Sequence, residues 1–120
     1  MILGVGIDLV DLERFDKAVA NTPKLLDRLF TEAEREGSKQ TLAGRFAAKE
    51  AFVKAMRGVD GLHWQEVVIS KDASGAPNLS VSGETAAVAS KAGIKNFHVS
   101  ISHDAGQAVA IVIAEGGADA

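Results

Sequence analysis

The sequence predicts an α+β fold in which an antiparallel or mixed sheet packs against one long helix. Strand-like and helical segments follow one another without the regular βαβ alternation of a parallel sheet. Residues 40–56 are rich in alanine and predict one helix that is longer than the others. The chain has 120 residues, of which 47% are hydrophobic. This size and composition are typical of one globular domain, so we expect residues 1–120 to form a single domain.

Shorter elements flank the long helix on both sides. The apolar segment 2–7 predicts a buried strand that ends at Asp8, and 11–20 has the spacing of an amphipathic helix. Thr31 and Glu34 have the capping-box pattern, which predicts that a short helix begins there. Strands are expected at 66–71, 78–82, 97–103 and 107–114, a helix at 83–92, and a frayed tail at 115–120.

The long helix is apolar on both faces. At 100° per residue, Ala47 and Val53 lie on the same side as Glu50, whereas Ala48 and Phe52 lie on the opposite side. We therefore expect the helix to be largely buried. A charge on a buried helix costs several kcal/mol unless it is paired or bound to something. Four charged residues on this helix therefore need partners: Arg45, Lys49, Glu50 and Lys54.

Composition excludes several classes of protein. The chain has no cysteine, which rules out a disulfide framework, a thiolate metal site and a cysteine nucleophile. Its net charge is -3 and it has no long basic run, which argues against a general nucleic-acid binder. The longest apolar run, 108–114, is far shorter than the about 20 residues of a membrane helix. Asp8 and Asp11 lie where a signal peptide is basic or apolar, so we expect a cytoplasmic protein.

Two acidic residues are candidate metal ligands. If Asp8 and Glu50 converge, their oxygens suit a hard divalent cation. Two carboxylates about 4 Å apart repel by roughly 4 kcal/mol at an effective dielectric near 20, and a bound Mg²⁺ reverses that repulsion. An alternative stays open, in which Asp8 caps the following helix and Glu50 pairs with Lys54 one turn away.

Three cations on the long helix suit a phosphorylated ligand, since lysine acts as a point charge and arginine as a planar fork. They are Arg45, Lys49 and Lys54, which in the alternative interpretation only extend into solvent. Ser102 and His103 are candidates for contacting a phosphate or are ordinary strand-edge residues. They cannot form a catalytic triad with Asp104, because adjacent strand residues point to opposite faces.

Four sequence blocks, taken in order, resemble the bacterial holo-[acyl-carrier-protein] synthases of the 4′-phosphopantetheinyl transferase superfamily. A helix motif of the form W/F-x-x-K-E-A-x-x-K is matched by Phe46, Lys49, Glu50, Ala51 and Lys54. The resemblance covers nearly the whole chain, in blocks at 6–10, 30–34, 45–55 and 98–104.

This resemblance implies a reaction. In the family, the 4′-phosphopantetheine arm of coenzyme A moves to a serine of an apo acyl carrier protein, and adenosine 3′,5′-bisphosphate is released. The resemblance also implies Mg²⁺, with Asp8 and Glu50 as the metal-binding acids and Lys54 as a third catalytic residue that stabilises charge on the leaving phosphate. The base that accepts the serine proton stays unassigned.

The resemblance further implies a homotrimer with active sites between subunits. The residues expected to bind coenzyme A are Arg45, Lys49, Lys54, Gly75, Pro77, Ser102 and His103. Because carrier proteins present acidic helices, the candidate docking residues are the basic Arg14, Lys17, Lys24 and Arg28, of which Arg14 matches a docking arginine of the family.

Two other functions are consistent with the same residues. An acid pair with lysines would also serve a metal-dependent hydrolase of nucleotide pyrophosphates. A non-catalytic module that binds coenzyme A is a third hypothesis. No membrane or nucleic-acid partner is expected.

Overall fold

The computed structural model describes residues 1–117 and has nine main helices and strands within that range. In chain order they are β1 (Ile2–Asp11), α1 (Leu12–Asn21), α2 (Leu25–Leu29), α3 (Lys39–Ala55), β2 (Val67–Lys71), β3 (Pro77–Val81), α4 (Gly83–Lys91), β4 (Ile94–Asp104) and β5 (Gln107–Gly116). Short 3₁₀ turns cover Ala33–Arg35 and Trp64–Glu66. The α+β class and the strands and helices expected from the sequence are confirmed, except the helix expected at Thr31, which is only a 3₁₀ turn. The burial expected for the strand at 2–7 is wrong, because Ile2, Val5 and Ile7 are 55–59% exposed.

The strands form two sheets, and the pairing in both is antiparallel. One sheet has the order β1-β5-β4, and β2 pairs with β3 in a separate hairpin. The β4–β5 connection is a two-residue turn in which Ala105 and Gly106 have φ values of 52° and 74°. Positive φ at both positions is typical of the type I′ turn, whose twist matches that of the flanking strands. The mixed pairing allowed by the sequence is therefore not observed in the described residues.

Helix α3 packs directly on β1 because β1 has glycine where the two backbones meet. A Cβ added to Gly4 would lie 2.0 Å from the carbonyl oxygen of Ala55, and one added to Gly6 would lie 1.8 Å from that of Ala51. Strand side chains alternate between faces, so Gly4, Gly6 and Asp8 all face the helix. The glycine pair thus brings the strand that carries Asp8 close to the helix that carries Glu50.

Nine of the 17 residues of α3 are buried, and they include Ala47 and Ala48 on different sides of the helix. The helix is not buried throughout, because Lys54 is exposed and Glu50 is half-buried. The remaining core comes mainly from Phe15, Phe30 and the small residues of β5. No helix among residues 1–117 is long and apolar enough to cross a membrane.

Two details of the expected boundaries are wrong. Strand β1 continues past Asp8 to Asp11, and it is the Asp11 side chain that caps α1, by accepting a 2.9 Å hydrogen bond from the Arg14 backbone nitrogen. Strand β5 continues through Glu115 to Gly116, since backbone pairing persists there. The rest of the expected frayed tail, 118–120, lies outside the described residues.

Candidate active site

Asp8 and Glu50 line the same cleft, which has a volume of about 370 Å³. Asp8 comes from β1 and Glu50 from the fourth turn of α3. The aromatic rings of Phe15 and Phe46, stacked with centroids 5.4 Å apart, belong to the same cleft wall. The convergence of the two acids expected from the sequence is therefore observed, 42 positions apart in the chain.

The cleft concentrates negative charge. Burial raises the pKa of the Glu50 carboxyl above its ordinary value, the nearby charge of Asp8 raises it further, and Lys54 opposes both. The Lys54 ammonium donates 3.0 Å hydrogen bonds to Asp8 Oδ1 and to the Ile7 carbonyl oxygen. In the described residues Lys54 pairs with Asp8, and Asp11 caps α1, so the alternative in which Asp8 caps the helix and Glu50 pairs with Lys54 is wrong.

This arrangement fits a magnesium ion that is shared with a substrate. Mg²⁺ is usually held by one or two carboxylates together with substrate phosphates and water, so it does not need an all-protein cage. The described residues contain no group of three or more acidic, histidine or cysteine side chains arranged to hold a metal. Asp8 and Glu50 are the two carboxylates that a magnesium site shared with a substrate requires. The unfavourable proximity of Asp8 and Glu50 is the charge pattern that a cation relieves.

A second cavity, of about 160 Å³, brings together four of the seven residues expected to bind coenzyme A. Arg45, Gly75, Pro77 and His103 all line it. His103 donates from Nε2 to the Gln40 carbonyl oxygen at 2.8 Å, which fixes the ring against the start of α3. The other lining residues come from α3, β2 and β4: Thr41, Gly44, Ile69, Ser70, Lys71 and Ile101.

The structure does not place Ser102 and Lys49 in this cavity. Ser102 points to the opposite face of β4 from His103, opposite Val109 of β5. Lys49 has no exposed side-chain surface, and its ammonium donates to Glu34 Oε1 at 2.7 Å and to the carbonyl oxygens of Leu29 and Trp64. We therefore correct the expectation that Lys49 contacts coenzyme A, because its charge is paired inside the core.

The four candidate docking residues lie on α1 and at α2, which border the acidic cleft. Arg14 lines that cleft together with Leu25 of α2. Lys17 forms an exposed ion pair with Glu13, at 3.4 Å, whereas Lys24 and Arg28 are exposed at α2. Arg14 is therefore part of the cleft wall, whereas the other three are exposed residues at the helices that border it.

Comparisons with known proteins identify the family. Residues 4–112 match the model of the 4′-phosphopantetheinyl transferase superfamily. The chain is 47% identical to the holo-[acyl-carrier-protein] synthase of Clavibacter sepedonicus over 116 residues, which cover 97% of this chain and 98% of the relative. The chain belongs to the holo-[acyl-carrier-protein] synthases. This confirms the resemblance and makes the protein a phosphopantetheinyl transferase.

Solved structures of holo-[acyl-carrier-protein] synthases share the fold. The Neisseria meningitidis enzyme is 30% identical, with a TM-score of 0.87 over 96% of this chain and 99% of that one. The Helicobacter pylori enzyme, solved in complex with coenzyme A, is 33% identical, with a TM-score of 0.82 over 92% of this chain and 99% of that one. The fold of this chain is therefore the fold of the family to which its sequence belongs.

Sequence reasoning missed Glu34 and Lys71. Glu34 is 2% exposed and forms the buried partner of Lys49, and Lys71 adds a cation to the lining of the second cavity. Because a buried Lys49 needs an acidic partner, the sequence did contain a reason to look for a residue such as Glu34. Glu34 was not identified as this partner because the capping-box pattern already gave its carboxylate a role. The carboxylate does fill that role, since it accepts a 2.9 Å hydrogen bond from the Thr31 nitrogen.

Proposed function

We propose that this enzyme transfers 4′-phosphopantetheine from coenzyme A to a serine of an apo acyl carrier protein, requires Mg²⁺, and releases adenosine 3′,5′-bisphosphate. The observation that carries the proposal is the shared cleft of Asp8 and Glu50, with the Lys54 ammonium on Asp8. Relatives with coenzyme A bound and the name of the family support the same substrates. The hydrolase and the non-catalytic module have no comparable support from the relatives.

Asp8 and Glu50 would hold the magnesium, which when bound neutralises charge on the diphosphate of coenzyme A. Lys54 would stabilise the negative charge that grows on the departing bisphosphate, because its ammonium already lies at the cleft and is half-exposed. The apolar walls formed by Phe15 and Phe46 lower the local dielectric, which strengthens these charge interactions. The serine proton has no assigned acceptor.

The second cavity would bind the nucleotide end of coenzyme A. Arg45 and Lys71 supply positive charge, and His103 also lines the cavity, held by its hydrogen bond to the Gln40 carbonyl oxygen. Gly75 and Pro77 belong to the β2–β3 hairpin and close one side of the cavity, in agreement with their proposed position along the nucleotide.

We propose a homotrimer with active sites between subunits, and an exposed apolar face supports it. Val5, Ile7 and Leu9 on β1 are 55–60% exposed and are paired with Ile113, Ile111 and Val109 of β5. A contiguous apolar face of this kind marks a protein interface. Ser102 lies on the same face, so a neighbouring subunit would bring it to a second active site.

Sedimentation equilibrium tests the assembly, with a mass of three chains expected. Val5→Lys is expected to reduce both the mass and the activity, whereas Val59→Lys, which alters an exposed apolar residue outside the strands, is the control. A monomeric wild-type enzyme with full activity would contradict the proposal.

The acyl carrier protein would dock on α1 and α2. Arg14 is the strongest candidate because it lines the acidic cleft itself, and Lys24 and Arg28 extend the basic surface. Such rim charges act mainly on association rate, so Arg14→Ala is expected to raise KM for the carrier and to make it less sensitive to salt.

The test of the reaction is the mass of the carrier after incubation with coenzyme A and Mg²⁺. Transfer adds the mass of phosphopantetheine, whereas hydrolysis leaves the carrier unchanged. A chelator is expected to stop transfer, and Glu50→Gln is expected to abolish it with the fold intact. Glu32→Gln, which alters an exposed acid just before the 3₁₀ turn at Ala33–Arg35, is the control. Transfer that survives in Glu50→Gln would contradict the metal assignment.

A further inference from the structure

Glu34 is buried and every side-chain contact it makes holds a different segment. Its Oε1 accepts hydrogen bonds from the Lys49 ammonium at 2.7 Å and from the Thr31 nitrogen at 2.9 Å. Its Oε2 accepts from the Ile69 nitrogen in β2 at 2.8 Å. The carboxylate therefore joins the 3₁₀ turn, helix α3 and strand β2 at one point inside the core.

The Lys49 ammonium has no remaining donor for a ligand. Its three hydrogen bonds go to Glu34, to the Leu29 carbonyl oxygen at 2.6 Å and to the Trp64 carbonyl oxygen at 2.9 Å. An ammonium has three protons, so this set saturates it. It also lies 5.1 Å from the centre of the Phe30 ring. This lysine fixes one point of α3 to the end of α2 and to the 3₁₀ turn at Trp64.

Glu34 holds α3 at a second point, one turn earlier. Its backbone carbonyl oxygen accepts a hydrogen bond from Arg45 Nη1, which also donates to the Glu36 carbonyl oxygen at 2.8 Å. Residues four apart lie on the same side of a helix, so Arg45 and Lys49 anchor the same face of α3. The two anchors together fix both the rotation and the axial position of the helix.

These anchors lie next to the residues of the proposed site. Glu50 follows Lys49 directly and is turned about 100° from it, towards Asp8. Arg45 itself lines the second cavity. A rotation or slide of α3 would therefore move a cleft carboxylate and a cavity cation at the same time.

Stability alone does not explain this pair. Replacing a buried ion pair by apolar residues of similar volume is often neutral or stabilising, because the pair loses its hydration on burial. An apolar pair would fill the same space, but it would not fix the rotation of the helix through directional hydrogen bonds.

We propose that Glu34 and Lys49 are a positioning pair, which orients α3 so that Glu50 meets Asp8 and Arg45 meets the nucleotide cavity. This inference rests on the proposed function, because it takes Asp8 and Glu50 as the metal ligands. Neither residue touches the reacting groups, and both act through their neighbours on α3.

The test uses the double variant Glu34→Leu/Lys49→Met and measures Mn²⁺ affinity by electron paramagnetic resonance with coenzyme A present. Loss of residues that orient metal ligands lowers metal affinity or activity by about 10–100-fold. We expect a weakening of that size and a parallel fall in kcat in the folded variant. The urea midpoint should also fall, because the Leu29 and Trp64 carbonyl oxygens and the Ile69 nitrogen lose their partners. Ala89→Gly, which weakens α4 at a buried position outside both cavities of the site, is the control and should leave Mn²⁺ affinity unchanged.

Two further variants keep the outcomes separate. If the double variant does not fold, the Mn²⁺ affinity and kcat of Glu34→Gln test the positioning role instead. This substitution keeps the shape of the side chain and removes its charge. Wild-type enzyme and Glu50→Gln are titrated alongside. Absence of Mn²⁺ binding in the wild type would count against the proposed function. Equal Mn²⁺ affinity and kcat in the wild type and in a folded variant of the pair would overturn the positioning role alone.

Discussion

Replacing Gly6 with alanine tests how closely β1 must approach α3. A Cβ at that position would lie 1.8 Å from the Ala51 carbonyl oxygen and 2.6 Å from the Ala55 nitrogen. Both are backbone atoms, so no side-chain rotation relieves the clash. The strand and the helix must separate by about 1.5 Å to regain van der Waals distance. Overpacking of this kind costs about 1–3 kcal/mol, which lowers Tm by roughly 4–12 °C.

The same separation moves Asp8, two residues along β1, away from Glu50. A misplacement of about 1 Å in an active site costs about 100-fold in rate, and we expect transfer to fall by about that factor while the variant is still folded. The assays are Tm by calorimetry and carrier mass after reaction. Gly117→Ala is the control, because a Cβ there lies 3.5 Å from its nearest neighbour, Lys95. Full activity at an unchanged Tm in Gly6→Ala would refute the reasoning.

Three other predictions follow from single contacts. Lys54→Met is expected to lower kcat by about 100-fold with little change in Tm, measured by carrier mass, and an effect on KM alone would contradict the role given to its charge. The hydrogen bond to Glu84 raises the pKa of His63 above its ordinary value, so its contribution to stability is complete below about pH 6.5 and is lost as pH rises through the raised value. His63→Gln should therefore lower Tm more at pH 5.5 than at pH 9, and an equal loss at both would be inconsistent with this. Ala105→Asn is expected to stabilise the β4–β5 turn by about 1 kcal/mol, because asparagine tolerates positive φ, and an unchanged or lower urea midpoint would contradict it.

The sequence predicted the parts of the molecule that depend on periodicity. The extent of α3 follows from its alanine-rich composition, and the two C-terminal strands follow from apolar alternation, although β4 begins at Ile94, three residues before its expected start. The turn at Ala105-Gly106 follows from small residues between alternating strands. We expected Asp8 and Glu50 to lie close together, but the sequence pattern alone did not require it. The two acids meet because Gly4 and Gly6, which lie on the same strand face as Asp8, let β1 approach α3 closely.

The direction of each cation on α3 could not be predicted from spacing. Arg45 and Lys49 lie one turn apart, yet Arg45 lines a cavity and Lys49 is saturated inside the core. The difference depends on the positions of the carbonyl oxygens of Leu29 and Trp64, which lie at the end of α2 and in a 3₁₀ turn, two short elements that the sequence analysis did not predict. Ser102 shows a similar limit, because its face of β4 is completed only by a second subunit in the proposed assembly.

Anomalous diffraction from a crystal of the enzyme grown with coenzyme A and Mn²⁺ tests the central claim most directly. The expected result is one manganese peak that contacts carboxylate oxygens of both Asp8 and Glu50 and the diphosphate of coenzyme A. A coenzyme A complex whose manganese lies elsewhere, or whose two carboxylates are too far apart to share one ion, would contradict the account.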